Sequence, residues 1–243
     1  MSNNTPYDAM FSSIIGKEYD MLQLICPAAT EMSRLVGIAV NAYVGTSEPL
    51  QVVELGGGTG ITTLAMLSGK NNLHILSVDN EPTMQDQAKV HLKQWVDEGQ
   101  LSFCGDDALT ALQNLANNSV DIIASAYTLH NFLNSYREDV LKEIFRALKP
   151  NGQFINGDRY ALNDSRQHTR LIQEEIGRYF NVLTPMQRND LLEQWIVHLF
   201  NDESEDHVMR ESVAFQQMQS IGFMRINVSD RIAGNALVTA VKP

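Results

Sequence analysis

The 243-residue chain is poor in the residues that mark several protein classes. It has two cysteines, Cys26 and Cys104, and no Cys-x-x-Cys pair, so neither a disulfide framework nor a zinc knuckle is indicated and we expect no metal site. Because no apolar run reaches 18 residues, we expect no membrane-spanning helix and no membrane association. The polar start, residues 1–8, lacks a basic-then-apolar signal pattern, so we expect a cytoplasmic protein.

Basic residues are also scarce. Eighteen Lys and Arg stand against 29 Asp and Glu, which gives a net charge of −11. An acidic surface repels the phosphate backbone, so general nucleic-acid binding is disfavoured. A small-molecule substrate is therefore the expected partner, and a homodimer is left open. The apolar fraction of 44% is ordinary for one large globular domain or for one domain with an insertion.

Short apolar runs alternate with helical patterns through the middle of the chain, and two further runs close it. This alternation predicts a mainly parallel sheet covered by helices on both faces, with a C-terminal antiparallel hairpin. The predicted strands are Leu50–Leu55, Leu73–Asp79, Leu101–Cys104, Val120–Tyr127, Gln153–Ile155, Phe223–Arg231 and Ala236–Val241.

Two regions depart from this rhythm and divide the chain into four parts. Residues 1–46 are predicted to be a helical lid segment and residues 47–160 a ligand-binding core. Residues 161–205 are predicted to be a helical insertion that also serves as a lid, and residues 206–243 to hold the last helix and the hairpin. The insertion carries an apolar stripe that either packs on the core or roofs a pocket: Leu191, Leu192, Trp195, Ile196, Leu199 and Phe200.

The strongest local signal is a glycine cluster between the first strand and a helix. Four glycines occupy the five positions from Gly56 to Gly60, directly before the helical run Ile61–Leu67. Glycine lets a ligand approach the backbone, and a helix start offers free N–H groups. A dinucleotide-binding loop would need glycine at Ile61 or Thr63, and no P-loop spacing occurs. Neither phosphate-binding scheme fits.

The spacing Glu54-x-Gly56-x-Gly58-x-Gly60 instead resembles motif I of the class I S-adenosylmethionine-dependent methyltransferases. This resemblance implies a Rossmann-like, seven-stranded, mainly parallel sheet, and S-adenosylmethionine as cofactor with S-adenosylhomocysteine as its product. The similarity continues in order through four further segments: Leu76–Asp79, Gly105–Ala108, Asp121–Tyr127 and Leu148–Gln153.

The resemblance implies roles for the residues around the glycine loop. Gly56, Gly58 and Gly60 would let the methionine portion lie against the backbone. Glu54 would brace the loop and approach the amino group of the ligand, or it would organise the loop without touching the ligand.

It also implies roles for the residues that follow the next strands. Asp79 would accept hydrogen bonds from both ribose hydroxyls, as a carboxylate can. Asn80 would touch the adenine edge, and Asp106 would meet the adenine amino group, whereas Asp107 would cap the next helix. Tyr127 would line the donor pocket.

The acceptor side is less well marked. His130, just past the fourth strand, is a candidate to remove a proton or to orient the substrate, with a structural role as the alternative. Arg159 and Tyr160, past the fifth strand, are candidates for substrate binding, with an ordinary polar loop as the alternative.

A narrower resemblance is to carboxy-S-adenosylmethionine synthases, enzymes related to tRNA modification. It rests on Tyr7-Asp8, the helical insertion, and the ending from Phe223 to Val238. It implies that Arg188 holds an added carboxylate or another anionic group. The glycine loop resembles that of ordinary methyltransferases, so methyl transfer to an enclosed small acceptor is the leading interpretation. Use of a carboxylated donor and a binding-only module are the alternatives.

Overall fold

The computed structural model describes residues 17–45, 48–69 and 72–243, and the predicted Tyr7-Asp8 feature lies outside them. Seven strands form one sheet in the order β3-β2-β1-β4-β5-β7-β6. The strands are β1 Leu50–Leu55, β2 Leu73–Val78, β3 Leu101–Cys104, β4 Val120–Ala126, β5 Leu148–Arg159, β6 Met224–Ile232 and β7 Asn235–Val241. The helices are α1 Lys17–Ile25, α2 Pro27–Ala42, α3 Ile61–Leu67, α4 Pro82–His91, α5 Lys93–Asp97, α6 Ala108–Gln113, α7 Asn134–Ala147, α8 Ser165–Leu183, α9 Asn189–Asp202 and α10 Glu211–Ile221.

The parallel half of the sheet follows from its continuous apolar strands. β1 pairs in parallel with β2 and β4, and β4 pairs in parallel with β5. Every residue of β4 is buried, as expected for a strand covered by helices on both faces. The carboxyl ends of β1, β2 and β4 therefore meet at one edge of the sheet, which is where ligands bind in open α/β folds.

The antiparallel part is larger than the sequence indicates. β7 pairs antiparallel with β6 and with seven consecutive residues of β5, Gln153 to Arg159. β5 was predicted to span only Gln153–Ile155, because Pro150 and Gly152 favour a turn. Pairing with β7 on one side and with β4 on the other, including Leu148 opposite Val120, extends β5 over twelve residues.

Helices cover both faces of the sheet, and a third apolar cluster lies beyond one face. α2 packs on α3 so closely that a methyl group added to Gly37 would lie 2.6 Å from the Cβ of Ala65. The third cluster joins α1, α8 and α9 through Ile25, Tyr179 and Leu199. The predicted break at Pro27 is confirmed, since α1 ends at Ile25 and α2 begins at the proline. Within the described residues, no helix is both long and apolar enough to cross a bilayer.

Candidate active site at the carboxyl ends of the parallel strands

The three predicted loop glycines serve different purposes. Gly56, Gly58 and Gly60 all have positive φ, at 72°, 53° and 94°, a region that costs other residues energy. A side chain on Gly56 would strike Thr128, and one on Gly60 would strike Leu92. A Cβ on Gly58 would meet nothing within 4 Å, so the backbone at Gly58 is open to a ligand.

Glu54 joins the end of β1 to α3 and β2, and its two predicted roles at the loop stay predictions. Its carboxylate is fully buried, and Oε2 accepts hydrogen bonds from Thr63 Oγ1 at 2.6 Å and from Ser77 Oγ at 2.7 Å. Burial raises the pKa of Glu54 to about 7, although the two hydroxyl groups oppose this shift. Oε1 is buried without a hydrogen-bond partner among the described residues.

Asp79 is the acid at the end of β2, and it ties two loops together. Oδ2 accepts the Gly58 N–H at 2.7 Å, and Oδ1 accepts the Glu81 N–H at 2.8 Å.

Asn80 and Asp106 are exposed nearby, and their predicted adenine contacts stay predictions. Asp107 caps α6, accepting the N–H groups of Leu109 and Thr110, which confirms the cap suggested by the sequence.

A cavity of about 880 Å³, here called the loop cavity, opens above these glycines. The open backbone at Gly58 fits a cofactor that is bound against the loop, whereas Glu54 is fully buried and does not line this cavity. Trp195 and Leu191, from the predicted apolar stripe, line the opposite side, whereas Phe200 of that stripe is 63% exposed. Further lining residues include Gly56, Gly57, Gly58, Thr59, Ile61, Glu81, Met84 and Tyr127.

A second cavity of about 920 Å³, here called the helix cavity, lies between α1, α2, α8 and the β6–β7 turn. The two cavities share five lining residues: Cys26, Tyr127, His130, Arg159 and Asp202. Tyr127 donates its hydroxyl to Asn235 Oδ1 at 2.5 Å, which anchors it to β7. The predicted donor-pocket residue Tyr127 and the predicted catalytic residue His130 thus lie where the two cavities meet.

His130 is buried and fixed by a carboxylate. Its Nδ1 lies 2.5 Å from Oδ1 of Asp158, and the other oxygen of Asp158 accepts the Leu129 N–H. Burial alone would raise the pKa of Asp158, but His130 and the backbone N–H of Arg159 outweigh it and leave that pKa lowered. Since an ionised carboxylate only accepts, Nδ1 donates to Asp158, and Nε2 is the ring nitrogen left to contact another group.

Arg159 reaches the same junction, but its charge is already matched. The guanidinium lies 2.8 Å from Glu175, 3.4 Å from Glu203 and 3.9 Å from Asp202. Its side chain is 12% exposed. Arg159 therefore organises carboxylates from α8 and α9 around the junction, and it offers a bound anion little unpaired charge.

The structure does not bring the other two predicted substrate residues to either cavity. Tyr160 is 1% exposed, and its hydroxyl accepts a hydrogen bond from Asn156 within the core. Arg188 precedes α9 at the surface and holds Asp190 through Nε and a terminal nitrogen. Partners nearby in sequence, Asn156 and Asp190, hold both side chains away from the cavities, and their predicted roles in substrate binding stay predictions.

Sequence reasoning missed two residues at the junction, His198 and Asp202. The two stand four positions apart on α9, with His198 Nε2 3.7 Å from Asp202 Oδ2. His130 Nε2 lies 3.7 Å from the same oxygen. The i,i+4 spacing places His198 and Asp202 on one helix face. This spacing is the feature of the sequence that could have identified them as candidate site residues.

Comparisons with known proteins agree with this geometry. Residues 52–152 match the family described as a methyltransferase domain. Over 152 residues, 60% of this chain, the protein is 26% identical to the carboxy-S-adenosyl-L-methionine synthase of Cronobacter sakazakii, of whose length the match covers 58%. It is 26% identical over 200 residues to the demethylmenaquinone methyltransferase of Leptospira interrogans, covering 79% of this chain and 75% of that protein. The match thus spans less than two thirds of the synthase.

Solved structures support the same fold. An O-methyltransferase family protein from Burkholderia thailandensis aligns with a TM-score of 0.63 at 15% identity, covering 99% of this chain and 60% of that one. S-adenosylmethionine is the cofactor that these comparisons imply. Residues 52–152 thus match a methyltransferase domain, and the comparisons together support a member of the class I S-adenosylmethionine-dependent methyltransferase superfamily.

Proposed function

We propose that the protein is a methyltransferase whose small acceptor occupies the helix cavity and reaches the loop cavity at His130. The observation that carries this proposal is the junction itself, where His130, held by Asp158, lines both cavities. When bound, S-adenosylmethionine supplies a methyl group already activated on a sulfonium sulfur.

The chain's own residues then have to position two ligands and exclude water. Gly58 and Glu54 would hold the methionine portion, and Asp79 the ribose. Trp195 and Leu191 of α9 would close the loop cavity as the predicted lid. Alignment is the main requirement, and His130 is the group that would orient or activate the acceptor.

A screen for methyl transfer from labelled S-adenosylmethionine to small hydroxyl, amine and thiol compounds tests this proposal. His130→Ala should lower turnover about 100-fold or more while leaving the affinity for S-adenosylhomocysteine unchanged. Asp79→Asn is the matched donor-side variant and should weaken that affinity, by roughly 1.5–3 kcal/mol for a lost charge-assisted hydrogen bond. Normal turnover by His130→Ala would show that methyl transfer does not take place at the junction.

A second candidate is use of a carboxylated donor, favoured by the similarity to carboxy-S-adenosyl-L-methionine synthases. The arginine matched to that role, Arg188, lies outside both cavities and pairs with Asp190, so we rank this candidate lower. Mass spectrometry of the nucleoside after incubation with S-adenosylmethionine and a panel of small carboxylic acids separates the two, because a carboxylated nucleoside would support the second candidate. Tight binding of S-adenosylhomocysteine without any turnover would instead favour a binding-only module.

A further inference from the structure

We propose that His130, His198 and Asp202 form a binding site for one divalent transition-metal ion at the junction of the two cavities. Each residue offers one ligand atom, and these atoms all lie within 4.8 Å of one another. The set combines one residue after β4 with two residues of α9, so the fold assembles it from distant parts of the chain.

The distances suit a shared cation better than direct hydrogen bonds. Each imidazole Nε2 lies 3.7 Å from Oδ2 of Asp202, which is beyond hydrogen-bond range. Ligands bound to zinc at about 2.0–2.2 Å with tetrahedral angles stand roughly 3.3–3.6 Å apart. A small side-chain movement would therefore give all three ligands normal bonds to one ion.

Asp202 supplies an independent observation. The residue is 5% exposed, and its Oδ1 is buried without a hydrogen-bond partner in the described part of the chain. Buried carboxylate oxygens are normally hydrogen-bonded, paired or bound to a metal. Because Asp202 is the last residue of α9 and His198 stands one turn before it, the helix presents both ligands together.

His130 has the support that metal-binding histidines usually have. Its Nδ1 is held by Asp158 at 2.5 Å, and its Nε2, 3.7 Å from Oδ2 of Asp202, is the nitrogen left for a metal. A carboxylate behind a metal-binding histidine fixes its tautomer and raises its basicity. The buried pair Asp158–His130 therefore serves a metal ligand at least as well as it serves a general base.

The charge balance also permits a cation, despite the nearby guanidinium of Arg159. The ion pairs around the junction form one connected network that contains four carboxylates, one arginine and three histidines. With neutral histidines this network is strongly negative. A divalent ion would reduce this excess of negative charge, and Arg159 would stay paired with Glu175 and Glu203.

Two imidazoles and one carboxylate favour Zn²⁺, Co²⁺ or Fe²⁺ over Mg²⁺ or Ca²⁺, which prefer oxygen ligands. Three protein ligands leave at least one coordination position for a substrate. The chemical class that fits this position is an acceptor with an anionic oxygen, such as a phenolate, an enolate or a carboxylate. Since Nε2 cannot both bind a metal and take a proton, this role excludes His130 as the general base.

Metal titration of the untagged, chelator-treated protein tests the site without any acceptor. We expect one Co²⁺ per chain, with visible ligand-field absorption, and one Zn²⁺ per chain by calorimetry. His198→Ala and Asp202→Asn should each weaken binding 100-fold or more, and Asp158→Asn by 10- to 100-fold. His74→Ala, at an exposed histidine near the start of β2, is the matched control and should bind as the wild type does.

Far-UV circular dichroism and a cooperative urea transition report whether each variant is folded. Should Asp202→Asn fail to fold, His198→Ala still decides, because the His198 side chain is 49% exposed and its removal leaves the core intact. Absence of stoichiometric binding by the wild type, or wild-type affinity in His198→Ala, overturns the metal site. Methyl transfer that persists in the chelator-treated protein would also overturn a metal role in turnover, and it would leave the proposed function standing with His130 as the base.

Discussion

The proposed site has a donor side at the glycine loop and an acceptor side at the junction, and the two sides are built in different ways. On the donor side, Glu54, Gly58 and Asp79 lie within 26 positions of one another in sequence, at the ends of two neighbouring strands. Their contacts are hydrogen bonds to backbone N–H groups and to hydroxyls. On the acceptor side, ion pairs join segments that are distant in the chain, as between Arg159 and Glu203. The ends of two neighbouring strands position the donor-side residues. The acceptor-side residues come together only when α8 and α9 pack against the rest of the fold.

The largest expected effect of a substitution is therefore a loss of stability on the acceptor side. Arg159→Ala should lower the free energy of unfolding by about 3–5 kcal/mol, because it leaves the carboxylates of Glu175 and Asp202 poorly compensated inside the protein. Arg34→Ala, which breaks a more exposed pair with Glu31 in the lining of the same cavity, should cost at most about 1 kcal/mol. Urea unfolding measures both. Equal losses would mean that the network around Arg159 is no more than a surface feature.

The donor side should show its effect in pH dependence, through Glu54. Its pKa is about 7 in the folded protein and 4.5 for the unperturbed group, so the folded state binds the proton more tightly between these values. The contribution of Glu54 to stability is therefore largest below pH 4.5 and falls as the pH rises to 7, by about 3 kcal/mol in total.

Glu54→Gln removes this titration and leaves the other groups unchanged. The unfolding free energy of the variant relative to the wild type should rise steadily from pH 4.5 to pH 7 and then level off. Urea midpoints over this range measure the difference. A difference that does not vary with pH would show that Glu54 is not held in the unfavourable environment that the structure gives it.

What the sequence could predict follows the same division. The bounds of β1 and β3 and the cap by Asp107 were predicted correctly, because apolar runs and capping residues act over a few positions. Glycine spacing located the loop, although only the structure shows that Gly58 alone of the three predicted glycines has an open side.

Features that depend on tertiary packing were not predictable in this way. The length of β5 depends on its pairing with β7. The junction of His130 with His198 and Asp202 depends on where α9 packs, and no local pattern in the sequence encodes that position. Tyr160 follows β5, as a substrate residue would, yet it turns into the core and bonds to Asn156.

A matched pair of glycines separates backbone strain from ligand contact on the donor side. Gly58 and Gly99 both have positive φ, at 53° and 72°, and open space where a Cβ would lie, but only Gly58 lines the loop cavity. Alanine at either position should cost a similar 1–2 kcal/mol of stability, roughly the strain of that backbone region. Gly58→Ala should also weaken S-adenosylhomocysteine binding at least tenfold, and Gly99→Ala should leave it unchanged. Equal affinities in calorimetry would show that the ligand does not approach this backbone.

The smallest effect is expected at Arg188, where the similarity to carboxy-S-adenosylmethionine synthases and the geometry disagree. The similarity implies an anion clamp, so that Arg188→Lys would impair turnover, since a lysine lacks the planar fork that matches a carboxylate. In the structure the guanidinium is half exposed and already holds Asp190 from its own helix start. We therefore expect Arg188→Lys and Arg188→Ala to keep both turnover and S-adenosylhomocysteine affinity within twofold of the wild type. Steady-state kinetics with an acceptor found by screening decides between the anion clamp and the surface ion pair. A tenfold loss of turnover with unchanged cofactor affinity would mean that α9 moves Arg188 to the acceptor during the reaction, and that the acceptor side includes more of the insertion than the junction alone.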